Sequence, residues 1–365
     1  MKAAVCREFG KDLDIVDVDL RPPGRGEVEV EIAACAICHS DIHYIDGAWG
    51  GHLPAVYGHE AAGHVRATGP GVAGFVVGDP VLVTLIRSCG SCRSCQCGSP
   101  ATCEASFDKV NSSPIRLRDP ASTPLEQGLC TAAFAERAVV DQSQIQAIPD
   151  AIALDVACLL SCGVITGVGA AVNTAGIRAG SNVVVVGAGG VGLNSIQGAR
   201  VAGAARVIAV DVLDEKLDGA REFGATHGVR GDDKDVHRQI RRLTDGRGAD
   251  TVLVTVGAAA AYERAPRFLA PGGELVAVGM PASDALARWS PMVFAFFGQS
   301  IRGSAMGDTV LSRDIPWLLD LYRQGRVKLD ELVTGRYPLE RINDAIADTR
   351  AGRSRRNVIV MKGHS

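Results

Sequence analysis

Hydrophobic and polar residues alternate over the first part of the chain. Between residue 1 and about residue 149, short runs such as EVEVEIAA (residues 27–34) and PVLVTL (residues 80–85) are separated by glycine and proline. A period of two is typical of strands that bury one face of a sheet. We therefore predict a β-rich barrel or sandwich for this part of the chain.

A second pattern begins near Val164. Continuous apolar runs, such as NVVVVG (residues 182–187) and ADTVLVTVG (residues 249–257), alternate with helical stretches such as residues 235–246. Apolar strands separated by helices predict a parallel, doubly wound sheet, because helices cover both of its faces. From about Gly307, two amphipathic helices and a final apolar strand follow, and we expect this segment to return to the first domain.

Length and charge narrow the class of protein. A chain of 365 residues exceeds the usual size of one hydrophobic core, so we assign residues 1–163 and 307–365 to one domain and 164–306 to an inserted one. A net charge of −3 gives no basic footprint for nucleic acid or an anionic membrane, which favours small-molecule partners. The sequence shows no signal-peptide pattern and no apolar run of transmembrane length, so we expect a cytoplasmic protein.

The segment GAGGVG follows the apolar run NVVVV and places Gly187, Gly189 and Gly192 in the register G-x-G-x-x-G. These glycines permit a tight turn, close approach of a pyrophosphate, and close packing of helix on strand. Glycine-rich turns also serve plain strand-to-helix connections, but the next strand ends in Asp211, which can accept hydrogen bonds from a ribose. The Asp211 carboxylate would repel a 2′-phosphate and Lys216 suits a second ribose contact, so we predict NAD rather than NADP as cofactor.

Residues 89–103 read CGSCRSCQCGSPATC. Their spacing lets four thiolates surround a zinc ion and leave no position for water, which is a structural rather than a catalytic site. Redox-active or spare cysteines are the alternative reading. Cys97 lies inside the cluster and competes for the third ligand position. The predicted ligands are Cys89, Cys92, Cys95 and Cys103.

Three separate segments supply a second set of metal ligands. Cys38 opens CHSDIH, His59 lies in GHEAAG, and Cys162 opens CGVITG. Each residue alone has a plainer explanation in core packing or a surface pair. Together, and beside a dinucleotide fingerprint, they predict a Cys2His zinc site with an open fourth position, which is the catalytic arrangement.

Taken in order, CHSD, GHEAAG, the four-cysteine lobe, CGVITG, GAGGVG and Asp211 resemble the motifs of zinc-dependent alcohol dehydrogenases of the medium-chain dehydrogenase/reductase family. The resemblance covers nearly the whole chain. It implies an α/β fold in which a GroES-like β-rich catalytic domain, built from both chain ends, flanks a Rossmann domain with a doubly wound parallel sheet. It also implies an active site in the cleft and two zinc ions per chain.

The resemblance assigns roles to further residues. Glu60 is an alternate zinc ligand, Asp41 orients His59, and Ser40 and His43 form a proton relay from the substrate oxygen. The implied cofactor-binding residues are His39, Thr166, Gly187, Gly189, Gly190, Val191, Gly192, Asp211, Lys216, Val256, Val278 and Arg356, with His39 and Arg356 at the pyrophosphate. The implied substrate-pocket residues are Trp49, Leu85, Phe134 and Met306.

These assignments predict reversible, zinc-dependent oxidation of primary aliphatic or aromatic alcohols to aldehydes with NAD. The long loop at residues 107–130 resembles the insertion of dimeric members, so we expect a homodimer. One alternative is a formaldehyde dehydrogenase acting on a thiol adduct, whose carboxylates would need cations such as Arg87, Arg116 and Arg118. Others are an enzyme that never exchanges its NAD, and a non-catalytic zinc- and nucleotide-binding protein.

Overall fold

The structure is a computed structural model that describes residues 1–106 and 116–363. The first nine residues of the loop at 107–130 lie outside this range. The strands are β1 (Lys2–Cys6), β2 (Asp14–Asp17), β3 (Asp19–Leu20), β4 (Glu27–Ala36), β5 (Ala55–Val56), β6 (Glu60–Thr68), β7 (Pro80–Val83), β8 (Leu117–Arg118), β9 (Pro124–Gln127), β10 (Arg137–Asp141), β11 (Ile145–Ala147), β12 (Asn182–Val186), β13 (Arg206–Asp211), β14 (His227–Arg230), β15 (Ala249–Val254), β16 (Leu269–Ala277), β17 (Ser300–Gly303), β18 (Val333–Pro338) and β19 (Arg356–Val360).

The helices are α1 (His39–Ile45), α2 (Arg93–Gln96), α3 (Leu154–Ala157), α4 (Gly163–Gly169), α5 (Gly190–Val201), α6 (Asp214–Glu222), α7 (Val236–Leu243), α8 (Ala259–Arg264), α9 (Pro291–Phe297), α10 (Leu311–Arg323) and α11 (Ile342–Arg350). A π-helical turn, Ala170–Thr174, continues α4. Within the described ranges no single helix is both long and apolar enough to cross a membrane, although Leu154–Ser161 and Gly163–Thr174 reach that length together across a 49° bend.

The chain divides into two compact units. The first contains Met1–Cys162, Val310–Leu319 and Leu329–Ser365, and the second contains Gly163–Thr309 and Asp320–Lys328. Both chain ends therefore belong to the first unit, and the second unit is an insertion. The sequence pattern placed residues 1–163 and 307–365 in the first domain, whereas the structure groups Gly163, residues 307–309 and residues 320–328 with the second unit.

The described part of the first unit contains two sheets. One has the order β2-β1-β5-β9-β8-β3, and the other has the order β11-β7-β6-β4-β19-β18 with β10 also paired to β4. Ile32, Ile45 and Phe134 are among the largest side chains buried in the core of this unit. Each such side chain contributes about 1.5–3 kcal/mol to the free energy of unfolding. The predicted β-rich domain is confirmed.

Strand β4 departs from simple alternation of buried and exposed side chains. Glu27 and Glu29 are only 7% exposed. They tolerate burial because Glu27 pairs with Arg116 at 2.6 Å and Glu29 pairs with Arg137 at 2.7 Å. Paired charges can be buried where single charges cannot. The period of two therefore predicted the strand but not the burial of its charged residues.

The second unit is built on a six-stranded sheet with the order β14-β13-β12-β15-β16-β17, and all its pairings are parallel. Strand β12 is buried along its entire length, as its run of valines requires. Ile208, Ile240 and Leu275 are fully buried in the core of this unit. The doubly wound, Rossmann-like sheet predicted from the apolar runs is confirmed.

Candidate functional site

Helix α1 presents the chemistry of the segment CHSDIH. Cys38 caps its N-terminus, and the Cys38 backbone N–H donates a hydrogen bond to the carboxylate of Asp41 at 3.1 Å. The same carboxylate accepts a hydrogen bond from the Gly58 backbone N–H at 3.0 Å. Asp41 is completely buried. It therefore joins the start of α1 to the loop that precedes His59.

Pairing of β4 with β6 brings the first two predicted zinc ligands together. In this antiparallel ladder Ala36 lies opposite Glu60, so Cys38 follows the end of β4 where His59 precedes the start of β6. Cys162 follows the 3₁₀ turn Cys158–Ser161. Residues far apart in sequence thus meet at one end of a sheet.

Cys38, His59, Glu60 and Cys162 form one buried cluster. Each offers a ligand atom, and these atoms all lie within 4.8 Å of one another. Nε2 of His59 is buried and has no hydrogen-bond partner among the described residues. Two sulfurs, one imidazole nitrogen and a carboxylate are a donor set that zinc accepts. These residues therefore fit the predicted catalytic metal.

The charges of the cluster favour a bound cation. The neighbouring Cys162 thiol, opposed by burial and helped by His59, holds the pKa of Cys38 well below its usual value. Burial lowers the pKa of His59, but the Asp41 carboxylate and Cys38 outweigh it and raise that pKa to about 10. Because a ligating imidazole must be neutral and a ligating thiol ionised, binding of a metal here displaces protons.

Glu60 has a second neighbour. Arg356, at the start of β19, forms an ion pair with the Glu60 carboxylate, and both side chains are buried. The resemblance assigned Arg356 to the pyrophosphate, and the structure shows it in contact with the metal cluster. The Arg356 guanidinium therefore compensates the charge of the buried Glu60 carboxylate.

The predicted relay residues lie on the same helix as Asp41. Ser40 and His43 are both half-buried, while His39 is exposed. Positions three apart share one face of a helix, so Ser40 and His43 lie next to each other along α1. The His43 ring stacks on the indole of Trp49, with centroids 4.8 Å apart and an interplanar angle of 27°.

The four predicted pocket residues have different environments. Trp49, Leu85 and Met306 are half-buried, whereas Phe134 is completely buried in the core. A Cβ added to Gly58 would lie 2.5 Å from the Phe134 backbone nitrogen, so Phe134 packs directly against the residue before His59. Phe134 therefore supports the loop that holds the histidine ligand.

The cysteine lobe forms a second cluster, in which the ligand atoms of Cys89, Cys92, Cys95 and Cys103 lie within 4.8 Å of one another. The thiols accept backbone hydrogen bonds, for example from Cys89 N–H to Cys103 Sγ at 3.3 Å. The Ser91 hydroxyl and N–H groups lower the pKa of Cys89 to about 5. Cys97 is exposed and outside this group. The geometry thus favours Cys95 over Cys97 as the third ligand.

The glycine-rich segment connects β12 to α5 as its sequence predicts. Gly187 adopts a φ of 97°, and a Cβ added to Gly192 would lie 1.9 Å from the Gly187 carbonyl oxygen. A Cβ added to Gly189 would meet nothing within 4 Å. Gly187 and Gly192 are therefore required by the protein itself, whereas Gly189 leaves open space beside the N-terminus of α5, where a phosphate can approach.

Asp211 is the last residue of β13. Its carboxylate accepts hydrogen bonds from the backbone N–H of Ala188 at 2.8 Å and of Leu213 at 3.1 Å. The first bond attaches Asp211 to the glycine-rich turn. The carboxylate predicted to select the ribose is thus fixed beside the predicted phosphate site.

The remaining predicted cofactor residues belong to the second unit. A Cβ on Gly187 would lie 2.3 Å from Cγ1 of Val256, so this valine covers the glycine turn. The Thr166 hydroxyl donates to Met306 Sδ at 3.7 Å. Gly190, Val191 and Lys216 are half-buried, and Val278 is buried at the end of β16.

Sequence reasoning missed the side chains that fix the segment before Cys162. The Ser161 hydroxyl donates to the Ala61 carbonyl at 3.0 Å, and the Thr84 hydroxyl donates to the Ser161 carbonyl at 2.6 Å. Both residues are buried. In the sequence, the only signal was a serine directly before the predicted ligand Cys162. A single polar residue does not show whether its side chain is buried.

Both halves of the chain match known family models. Residues 24–150 match the model described as alcohol dehydrogenase GroES-like domain, and residues 190–324 match the model described as zinc-binding dehydrogenase. The two matches together span most of the chain.

Complete proteins also resemble this chain. An NDMA-dependent alcohol dehydrogenase from Amycolatopsis methanolica is 37% identical over 366 residues, which cover 98% of each chain. The crystal structure of an alcohol dehydrogenase zinc-binding domain protein from Burkholderia ambifaria has a TM-score of 0.94 and 36% identity over 98% of each chain. The crystal structure of benzyl alcohol dehydrogenase from Acinetobacter calcoaceticus has a TM-score of 0.92 and 30% identity over 99% of each chain.

Proposed function

Since the chain belongs to the zinc-dependent alcohol dehydrogenases of the medium-chain dehydrogenase/reductase family, we propose that it oxidises primary aliphatic or aromatic alcohols to aldehydes with NAD, reversibly. The reaction converts an alcohol and NAD⁺ into an aldehyde, NADH and a proton. The strongest support is the buried grouping of Cys38, His59 and Cys162 around one point.

Each residue of the cluster has a distinct task in this proposal. Cys38, His59 and Cys162 hold the zinc ion, and Asp41 fixes the ring of His59 by accepting the hydrogen bond from Nδ1 at 2.9 Å. Zinc supplies a Lewis acid that lowers the pKa of an alcohol hydroxyl. NAD supplies the hydride acceptor. Glu60 provides a further carboxylate that can replace an outgoing ligand.

The proton released by the alcohol needs a path to water. The half-buried side chains of Ser40 and His43 are suited to pass it from hydroxyl to imidazole along α1. General-base assistance of this kind is typically worth about 10²- to 10⁴-fold in rate. His43→Gln should therefore slow alcohol oxidation more than it changes zinc content.

A substrate panel tests the reaction. We expect NADH absorbance to appear with hexanol or benzyl alcohol and to be much weaker with sorbitol. Cys38→Ala should abolish turnover while NADH binding stays measurable, and Cys130→Ala, which changes a cysteine outside both clusters, should stay active. Equal activity of the Cys38→Ala enzyme after chelator treatment would refute a metal-dependent reaction.

Preference for NAD over NADP is the second part of the proposal. The Asp211 carboxylate is held by two backbone N–H groups and would repel a 2′-phosphate. Asp211→Ala should raise the KM for NAD at least about tenfold and lower the KM for NADP. Asp214→Ala, three residues further on in α6, is the matched control and should alter neither value. Unchanged selectivity of the Asp211→Ala variant would contradict this assignment.

Exchange of the cofactor is a separate question, because the Amycolatopsis relative is named for NDMA rather than NAD. The second candidate function is therefore an alcohol dehydrogenase that retains its nicotinamide cofactor and passes electrons to an external acceptor. Gel filtration followed by denaturation and absorbance measurement separates the two. If the enzyme exchanges NAD in each turnover, the protein should leave the column without bound cofactor.

A thiol-adduct formaldehyde dehydrogenase is less well supported. The three arginines considered for its carboxylates are engaged: Arg116 is buried against Glu27, Arg87 lies 3.6 Å from Asp141, and Arg118 donates to the Ser122 carbonyl. Arg116 pairs with Glu27 inside the unit, so its guanidinium is not free to bind a carboxylate of the adduct. Formaldehyde oxidation with and without low-molecular-weight thiols tests this function directly.

We also propose that the protein is a homodimer. Seven exposed large hydrophobic residues, 37–83% accessible, lie between residues 280 and 301, and all four residues of the edge strand β17 are exposed. An apolar surface of this extent beside an unpaired strand edge fits a second copy of the same surface. We define it as the 280–301 patch, and its exposed members are Met280, Leu286, Trp289, Met292, Phe296, Phe297 and Ile301.

Light scattering after gel filtration tests the dimer. The wild type should have about twice the mass of one 38.1 kDa chain. Phe296→Glu should produce monomers, whereas Val76→Glu, which changes an exposed valine of the first unit, should leave the dimer intact. A dimeric Phe296→Glu protein would exclude this patch as the interface.

The cytoplasm is the proposed location of the protein. Thiols that bind zinc must stay reduced, and the cytoplasm is a reducing compartment.

A further inference from the structure

The stacked pair His43–Trp49 explains what orients the proposed proton acceptor. No hydrogen bond or ion pair to the His43 ring occurs in the part of the chain that the structure describes. Its centroid lies 4.8 Å from that of Trp49, with an angle of 27° between the rings. A half-buried imidazole without polar partners would otherwise rotate freely about its terminal torsion, which has a broad energy profile.

The local backbone places the indole over the helix. Gly47 has a φ of 77°, and the Ala48 N–H donates to the His43 carbonyl at 2.9 Å, so the chain folds back on α1. Trp49 also meets the ring of Tyr44 edge-on, at 5.3 Å and 88°. Tyr44 in turn stacks on Tyr57, with centroids 5.8 Å apart. The turn of the backbone and the ring of Tyr44 therefore both hold the indole against His43.

We propose that Trp49 is a positioning residue for His43, a role that rests on the proposed relay. The indole face restricts the imidazole to one plane and attracts it more strongly once it is protonated, because a cation is stabilised over an aromatic face. Trp49 thus acts on the proton path, beyond any contact it makes with substrate. Misplacement of a catalytic group by about 1 Å can cost about 10²-fold in rate.

A double-mutant cycle tests this role. Trp49→Ala should lower kcat about 10- to 100-fold with a smaller change in KM, and Trp49→Phe, which keeps a flat ring, should restore most of kcat. In a His43→Gln background, Trp49→Ala should cost less than about twofold, because the group it orients is gone. Losses that multiply in the double variant would overturn the proposal. Zinc content and NADH binding should be equal in all variants.

Fluorescence gives a readout that does not depend on activity. In a Trp289→Phe/Trp317→Phe background only Trp49 emits, and an imidazole stacked on an indole quenches its emission. At one fixed pH we expect Trp49 emission to be brighter in His43→Gln than in this background, because the stacked ring is removed. Equal emission of the two proteins would overturn the stacking argument.

Other polar groups near the pair have their own environments. Asp46, after α1, is paired with Arg350. His52 is exposed on the following loop, and His52→Gln is the matched control, which should leave Trp49 emission as it is in the parent background.

Different results would refute the proposed function and the positioning role of Trp49. A wild-type enzyme that oxidises no alcohol refutes the proposed function whatever Trp49 emission does. An active enzyme whose losses multiply in the double variant keeps the proposed function and refutes only the positioning role.

Discussion

The carboxylate of Asp41 accepts a hydrogen bond from Nδ1 of His59 at 2.9 Å, and both side chains are completely buried. This bond leaves Nε2 of His59 as the nitrogen that can bind a metal. The same carboxylate also accepts bonds from Cys38 and Gly58. One side chain therefore orients the histidine ligand and fixes the backbone of a cysteine ligand.

Replacement of Asp41 by Asn should weaken zinc binding at the catalytic cluster by about 10- to 100-fold, because the neutral amide orients His59 less firmly and no longer balances its charge. Competition with a fluorescent chelator measures the affinity. Asp12→Asn, at an exposed carboxylate, should bind zinc as the wild type does. Identical affinities for Asp41→Asn and wild type would show that the hydrogen bond is dispensable.

The cysteine lobe predicts a difference between neighbouring thiols. Cys95→Ala should lose one of two zinc equivalents and melt at a lower temperature, since a structural zinc site stabilises the segment that closes around it. Cys97→Ala changes an exposed thiol outside the cluster and should keep both equivalents. Elemental analysis and thermal melting distinguish the two variants. The reverse result would make Cys97 the third ligand.

Two glycines of the turn are needed for different reasons: Gly192 for packing within the protein and Gly189 for binding of the cofactor. Gly192→Ala should destabilise the second unit, because its Cβ would lie 1.9 Å from the Gly187 carbonyl. Gly189→Ala meets no protein atom within 4 Å, so it should fold normally and bind NADH at least about tenfold more weakly through its new methyl group. Melting curves and fluorescence titration with NADH measure both effects. Normal NADH binding by Gly189→Ala would place the pyrophosphate elsewhere.

Glu27 should make the stability of the protein depend on pH on the acid side. Burial raises its pKa, but the Gly24 N–H and the Arg116 guanidinium outweigh burial and lower that pKa below 4.5. A lowered folded-state pKa stabilises the protein above the unfolded value, and this contribution is lost as pH falls through the folded value. Glu27→Gln should cost about 3–5 kcal/mol at pH 7, because it removes the negative charge that compensates the buried Arg116 guanidinium.

Urea unfolding at pH 7 and at pH 3 measures this contribution. The difference between wild type and Glu27→Gln should be large at pH 7 and should be smaller at pH 3, because protonation of the wild-type carboxyl is favoured as the pH falls toward its lowered folded-state pKa. Asp17→Asn, which removes an exposed partner of Lys2, should change the free energy of unfolding very little at either pH. A difference that is equal at both pH values would contradict the shift in pKa.

The fold of both units could be predicted from the sequence, because strands buried on both faces and strands buried on one face have different patterns of apolar residues. Buried parallel strands such as β12 appear as continuous apolar runs, whereas strands with one buried face alternate. The pattern of an amphipathic helix, however, does not show which of the two units its apolar face packs against. The sequence pattern alone therefore placed residues 320–328 with the first domain, although contacts in the structure group them with the second unit.

Motifs predicted the ligands but not their surroundings. Spacing and order were enough to nominate Cys38, His59 and Cys162, because metal ligands must be specific residue types. The contact between Glu60 and Arg356 joins positions far apart in the chain, and only the pairing of strands reveals it. The stacking of Trp49 on His43 likewise depends on how one short glycine-rich loop turns.

The position of β19 affects how the protein is made. Strand β4 is flanked by β6 on one side and by β10 and β19 on the other, and β19 follows every strand of the second unit along the chain. All six strands of the second unit emerge from the ribosome before β19, so that unit can fold during synthesis. The first unit can complete the pairing of β4 only after β19 has been made, and until then it exposes a strand edge that chaperones would need to shield.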